Sequence, residues 1–323
     1  MAEISLDSVC FVGERLSRPE CVLTTRHGDI FASDSRGGIF HRRADHSSRI
    51  YAGASLDLRG PLLPNGFALN RDGSFIVAHL SLDTGGVYRL DRVGQVAPIL
   101  QQIDGADLTV TNFVLLDDKG RLWITIATRT RPRTAAFRPG VEDGYVILMD
   151  HKGPRIVADG IGFANEVRLN PAGNALYVVE TYARCLTRFD VSEDGELSNR
   201  ETIAEFEPGE FPDGLALDSE GAVWVTCIVA NRLVRIERNG RRKVMLDDSD
   251  DAYCREVEAA YRAGKMDKAH IDRVTSKKLA NISSLAFGGD DLRTIYLGVL
   301  LGDRLPSCRS PVAGSPMVHW DWS

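Results

Sequence analysis

Five times in this chain of 323 residues a polar side chain stands eight positions before a turn glycine, with a short apolar stretch between the two. The windows open at Glu20, Asn65, Asn112, Asn165 and Asp213 and reach Gly28, Gly73, Gly120, Gly173 and Gly221; a looser sixth opens at Ser283. Beyond each turn comes a second apolar strand, as in SFIVAH, RLWITI and AVWVTC, and segments such as GGVYRL and GYVILMD mark a third. The starts lie 45, 47, 53, 48 and 70 residues apart. Hairpin repeats of about 40–50 residues build four-stranded propeller blades. The expected fold is therefore all-β, a six-bladed β-propeller forming one domain over residues 1–323. A helical insertion is expected at about 247–280, between blades five and six, because Tyr253, Val257 and Tyr261 recur at helical spacing. To close the ring, MVHWDW is expected as the third strand of the last blade and EISLDSVCFVG as its outermost strand.

Composition narrows the partners. With 39 basic and 45 acidic side chains the net charge is −6, which predicts no nucleic-acid or anionic-membrane partner. No apolar run reaches the roughly 18 residues of a membrane span. The start MAEISLDSVC carries no basic-then-apolar leader, and the six cysteines form no CxxC pair. Both features point to a cytoplasmic protein with reduced thiols, a monomer or small homo-oligomer, and away from zinc–thiolate chemistry.

Topology turns the repeat into a site. If the inner strands all begin at one mouth of the channel, Glu20, Asn112, Asn165 and Asp213 meet there, with Asn65 and Ser283 completing the ring. Loops between second and third strands, and connections between blades, emerge on the same face. A single Asn or Asp at a strand start is ordinarily a turn residue. Four oxygen donors at equivalent positions of a closed ring suit one divalent cation, calcium first, with magnesium, manganese or zinc next.

At these residues the chain resembles a family. RPECVL, GFANEVRLNPAGNALYVVET, FPDGLALDSEGAVWVT and NISSLAFGGDDLRTIYLG are similar to the SMP-30/gluconolactonase/LRE-like family of six-bladed propellers, from about Arg18 onward. The resemblance implies a metal-dependent hydrolase opening a lactone or related ester, a small-molecule substrate. It implies metal binding by Glu20, Asn165 and Asp213, with Asn112 as a further ligand or substrate contact and Asp213 doubling as acid/base. The alternatives it leaves are a phosphotriesterase on the same site and a metal-free enzyme of the strictosidine-synthase-like kind; a non-catalytic binding propeller also stays open.

Departures from the family pattern point to a substrate less polar than gluconolactone. Val110 stands where sugar lactonases often have Arg, Phe113 where Asp is frequent, and Glu166 follows Asn165. These three, with Asn65, are the expected substrate contacts. In the loop ATRTRPRTAAFRPGVEDG, Arg129 and Arg131 are expected to meet a substrate carboxylate. His79 ends a second strand and is the expected second proton-transfer group. Trp123 and Trp224 occupy equivalent positions and are expected to pack the blades.

Overall fold

The computed structural model describes residues 3–53, 58, 61–81 and 85–322. Six four-stranded antiparallel sheets stand around a central channel as a six-bladed β-propeller. The inner strands are Val22–Thr24, Pro64–Leu69, Thr111–Leu116, Ala164–Leu169, Glu210–Leu217 and Ile282–Gly288. Blade six packs back on blade one.

The repeated turn glycine has a backbone reason. Gly28, Gly73, Gly120, Gly173 and Gly221 all have φ between 68° and 82°, a region that side chains with a Cβ avoid. An aspartate opens the turn in blades three and five. Asp117 Oδ1 accepts from the backbone N–H groups of Lys119 (3.0 Å) and Arg121 (2.8 Å). Its Oδ2 accepts from Trp123 Nε1 (3.0 Å) and Arg121 Nε (2.7 Å). Asp218 does the same for Trp224 Nε1 (2.9 Å) and Arg235 Nε (2.7 Å). Each indole is buried without leaving its N–H unpaired.

The ring closes with one expected strand and one unexpected one. Cys10–Val12 is the outermost strand of blade six, Cys10 opposite Ser307 and Val12 opposite Leu305. The third strand is Leu305–Arg309, not MVHWDW. Residues 315–319 instead line a cavity at the hairpin-turn end of the channel. Backbone bonds hold the segment there, from Ser315 N–H to Leu217 C=O (2.9 Å) and from Arg26 N–H to Trp320 C=O (2.8 Å).

The insertion carries helix α1 (Asp251–Arg262) and the short helix α2 (Lys268–Asp272). Asp250 caps α1 by accepting from the N–H groups of Ala252 and Tyr253. Its buried face is Cys254, Val257, Glu258 and Tyr261. Val257 and Tyr261 join the core beside Phe211 and Tyr182, while Tyr253 is half-buried and donates to His270 C=O (2.7 Å). The insertion is thereby a fixed wall on blades four and five.

Candidate functional site

The inner strands share an irregularity that aims their polar residues. Register breaks fall between Pro64 and Phe67, Thr111 and Phe113, Ala164 and Val167, Pro212 and Leu215, and Ile282 and Ser284. Asn65, Asn112, Asn165, Asp213 and Ser283 sit inside these bulges, and a bulge re-aims the side chain it carries. The disturbed backbone is satisfied from the second strand. Ser33, Thr125 and Thr226 hydroxyls each accept, at 3.0 Å, from the N–H that follows Glu20, Asn112 and Asp213 respectively.

All six polar residues are buried. Asn65 Nδ2 donates to Asn112 Oδ1 (2.9 Å) and to its backbone oxygen (3.0 Å), and Ser283 Oγ donates to Glu20 C=O (2.9 Å). Asn165 Nδ2 donates to Asp213 Oδ1 and to Thr181 Oγ1 (3.0 Å). Arg18 pairs with Glu20 Oε2 at 2.8 Å. Burial, then the charges of Glu20 and Glu166, push the Asp213 carboxyl well above the usual carboxylate range, against the pull of Arg18 and Asn165.

The donor set fits a hard cation. Among the described residues no hydrogen-bond donor reaches Glu20 Oε1, Asn165 Oδ1 or Asp213 Oδ2, which leaves three oxygens open on neighbouring side chains. Two carboxylates held close at the cost of one proton's affinity are what a divalent ion stabilises. No group of three or more His, Cys, Asp or Glu side chains placed to hold a metal occurs among the described residues. Any ion here therefore depends on the amide oxygens.

Not every expected contact lies at this mouth. Glu166 faces the channel but is paired with Arg168 (3.0 Å) and accepts from Leu215 N–H (3.3 Å). Burial raises its carboxyl above the usual range despite Arg168. Phe113 packs under the Arg168 guanidinium, 4.5 Å from its ring centre. The structure thus gives Glu166 and Phe113 to the channel interior. Val110 joins an apolar wall with Phe137, Phe163, Tyr182 and Phe211. Phe137 stacks on Tyr182 at 4.6 Å, and Tyr182 lies near enough to Asp213 to feel its charge.

Three expected contacts are placed elsewhere. Arg129 is held over Tyr145 by a bidentate pair with Asp159 (2.7 and 2.9 Å). Arg131 is exposed. His79 is buried against Tyr88, its Nδ1 accepts from Leu63 N–H (3.0 Å), and burial lowers its pKa to about 4. That ring is a neutral backbone partner, the wrong state for a proton shuttle at neutral pH.

Two arginines that the expected contacts omit do reach the mouth. Arg18 precedes the first ligand position by two residues. Arg133 opens a short 3-10 turn (Arg133–Ala136) in the blade-three loop. Arg18, Glu20 and Tyr182 all act on its charge.

Solved structures share this fold. A gluconolactonase from Xanthomonas campestris superposes with a TM-score of 0.68 at 16% identity, over 96% of this chain and 94% of that one. A calcium-binding protein, regucalcin, from Agrobacterium tumefaciens gives 0.63 at 14% identity, over 97% of each chain. In sequence, 6-deoxy-6-sulfogluconolactonase of Pseudomonas putida is 27% identical over 294 residues, 89% of this chain and 85% of that protein. Regucalcin of Danio rerio is 32% identical over 111 residues, 33% of this chain and 37% of that protein. The model of the SMP-30/Gluconolactonase/LRE-like region matches residues 19–247, so this chain belongs to that family.

Proposed function

We propose that the chain is a hydrolase that opens a lactone or related ester with the help of one divalent cation, calcium first. The observation that carries this reading is the buried meeting of Glu20, Asn165 and Asp213 with an oxygen of each left open. The sulfogluconolactonase and gluconolactonase names of its relatives support the lactone class. The calcium-binding description of the Agrobacterium protein supports the ion.

Glu20, Asn165 and Asp213 would hold the cation, with Asn112 as a further ligand or substrate contact. Bound there, it supplies Lewis acidity toward the lactone carbonyl and the attacking water. Asp213 is the acid/base group. A cation held beside it would offset the burial that raises its carboxyl, and as the carboxylate Asp213 takes the proton of the attacking water and returns it to the ring oxygen as the C–O bond breaks. Asn65 fixes the Asn112 amide so that it presents a set face to substrate. The wall of Val110, Phe137, Phe163 and Phe211 favours a substrate with fewer hydroxyls than gluconolactone, since each unpaired hydroxyl there would be desolvated without return.

The test compares metal-stripped protein with protein reloaded with calcium, magnesium, manganese or zinc, on lactones from gluconolactone to apolar γ- and δ-lactones. Hydrolysis restored by a metal and reduced about 10²–10⁴-fold in Asp213→Ala is the expected outcome. Turnover indifferent to metal removal, or intact in the variant, would sink it.

A further inference from the structure

Arg133 is out of place as a structural residue. Among the described residues its guanidinium has no hydrogen-bond or ion-pair partner. Its loop neighbour Arg129, by contrast, is fully engaged with Asp159 and the Asp143 carbonyl. Arg133 is nonetheless only part-exposed, and burial together with the charge of Arg18 lowers its pKa. A desolvated guanidinium without a partner is costly, and its planar fork matches an oxyanion. Glu20 does not meet that need: its Oε2 is taken by Arg18, and Arg133 stays outside ion-pair distance.

Charge at the mouth leads to the same ligand. Glu20 and Asp213 bring two carboxylates to the mouth, and Arg18 and Arg133 bring two guanidinium groups. With both carboxyl groups ionised the set is balanced. A bound divalent ion leaves it positive by two charges, and Asp272 on α2, which also faces Arg133, removes only one. A positive, partly desolvated pocket beside an apolar wall selects an anion carried on an apolar frame.

We propose that the substrate bears a compact oxyanion substituent (sulfonate, phosphate or carboxylate) and that Arg133 grips it while the lactone ring lies against Tyr182 and Phe137. This rests on the lactonase reading above and specifies its substrate class. Arg133 is a specificity residue and takes no part in the proton transfers. Its place on a loop turn lets the anion be read at a distance from the carbonyl under attack.

The experiment uses twin δ-lactones that differ only in a terminal sulfonate or hydroxyl, assayed on the metal-loaded protein. Wild type should favour the sulfonate by about 10–100-fold in kcat/KM, the range of a charge-assisted bond. Arg133→Ala should remove that preference mainly through KM and leave the neutral twin within about threefold. Arg133→Lys should keep part of it, and Arg138→Ala, which removes the same charge from an exposed position of the same loop, should keep it all. A preference that survives in Arg133→Ala overturns the proposal. Should neither twin turn over, the lactonase reading fails. Calorimetry with cyclohexylmethanesulfonate and cyclohexylmethanol then decides the anion site alone: sulfonate binding lost in Arg133→Ala supports it, and equal binding of both probes overturns it.

Discussion

The same inner strands make two different channel mouths. At one end stand Glu20, Asn65, Asn112, Asn165, Asp213 and Ser283, the last five inside strand bulges, with an oxygen left open on Glu20, Asn165 and Asp213. At the other they end in Leu23, Leu115, Leu217 and Phe287, which with residues 315–319 line a largely apolar cavity of about 280 Å³. The first mouth spends burial on charge, and the second recovers it through apolar contact. Between them lies the buried Glu166–Arg168 pair, whose residues have relative exposures of 4% and 2%. A repeated blade thus gives a polar ring and a hydrophobic plug from one strand, because its two ends face different neighbours. Chemistry follows the end whose polar groups stay unsealed.

Breaking the divider should have the largest effect. Arg168→Ala leaves Glu166 buried and without its cation, a change that costs about 3–5 kcal/mol. Urea unfolding would measure it. Replacing both residues together, Glu166→Leu with Arg168→Met, should recover most of that loss. If the single variant were as stable as wild type, the two mouths would not depend on the pair. The Phe113 ring under Arg168 should also become mobile in the single variant, which its ring-flip rate in NMR would report.

The polar mouth was largely legible before the structure, and the reasons are local. A polar residue eight positions before a glycine repeats with the strand length, so ring position follows from counting. The Glu166–Arg168 pair was missed, Glu166 being expected to touch substrate, although residues two apart on a strand share a face and the alternation places both in the channel. The other missed features depend on distant partners. Arg129 is drawn outward by Asp159, thirty residues later on the outer strand of its blade, and nothing in the loop itself separates it from Arg133. His79 looks like a free imidazole until the Leu63 N–H meets it. In the last blade, LPSCR has a proline and weak strand formers, whereas MVHWDW alternates like a strand. Pairing with Cys10–Val12, some 295 residues away, decided between them.

A matched pair of hydroxyl deletions sharpens the contrast at smaller amplitude. Thr226 Oγ1 accepts from Gly214 N–H and donates to Ser283 C=O (2.9 Å) at the polar mouth. Thr24 Oγ1 donates to Phe287 C=O (2.6 Å) at the apolar one. Either Thr→Val change strands a buried backbone group and should cost about 2 kcal/mol. Only Thr226→Val should also weaken calcium binding, by about tenfold, because the N–H it supports follows Asp213. Calorimetric titration of both variants is the measurement. Equal calcium affinity in the two would deny that the second-strand hydroxyls set the site.

The smallest expected effect concerns acid and the plug. His319 has a relative exposure of 3%, and its pKa is pushed down to about 3 by burial and by the charge of Arg168, against a raising bond with the Thr24 backbone. A folded-state pKa below the unfolded value means that the unfolded chain binds the proton first. The stability His319 contributes is therefore complete above about pH 6.5 and falls as pH drops from there toward 3. At pH 5.5 the loss from this residue alone is roughly 1.4 kcal/mol. His319→Phe keeps the ring, removes Nε2, which has no partner among the described residues, and should flatten this part of the acid limb while changing stability at pH 7.5 little. The comparison is the difference between wild-type and variant urea midpoints at pH 7.5 and 5.5. Because the polar mouth is at the other end of the channel, metal-dependent hydrolysis at pH 7.5 should be the same in both proteins. A variant with an unchanged acid limb would show that the plug is held by its apolar contacts alone and that His319 does not report on it.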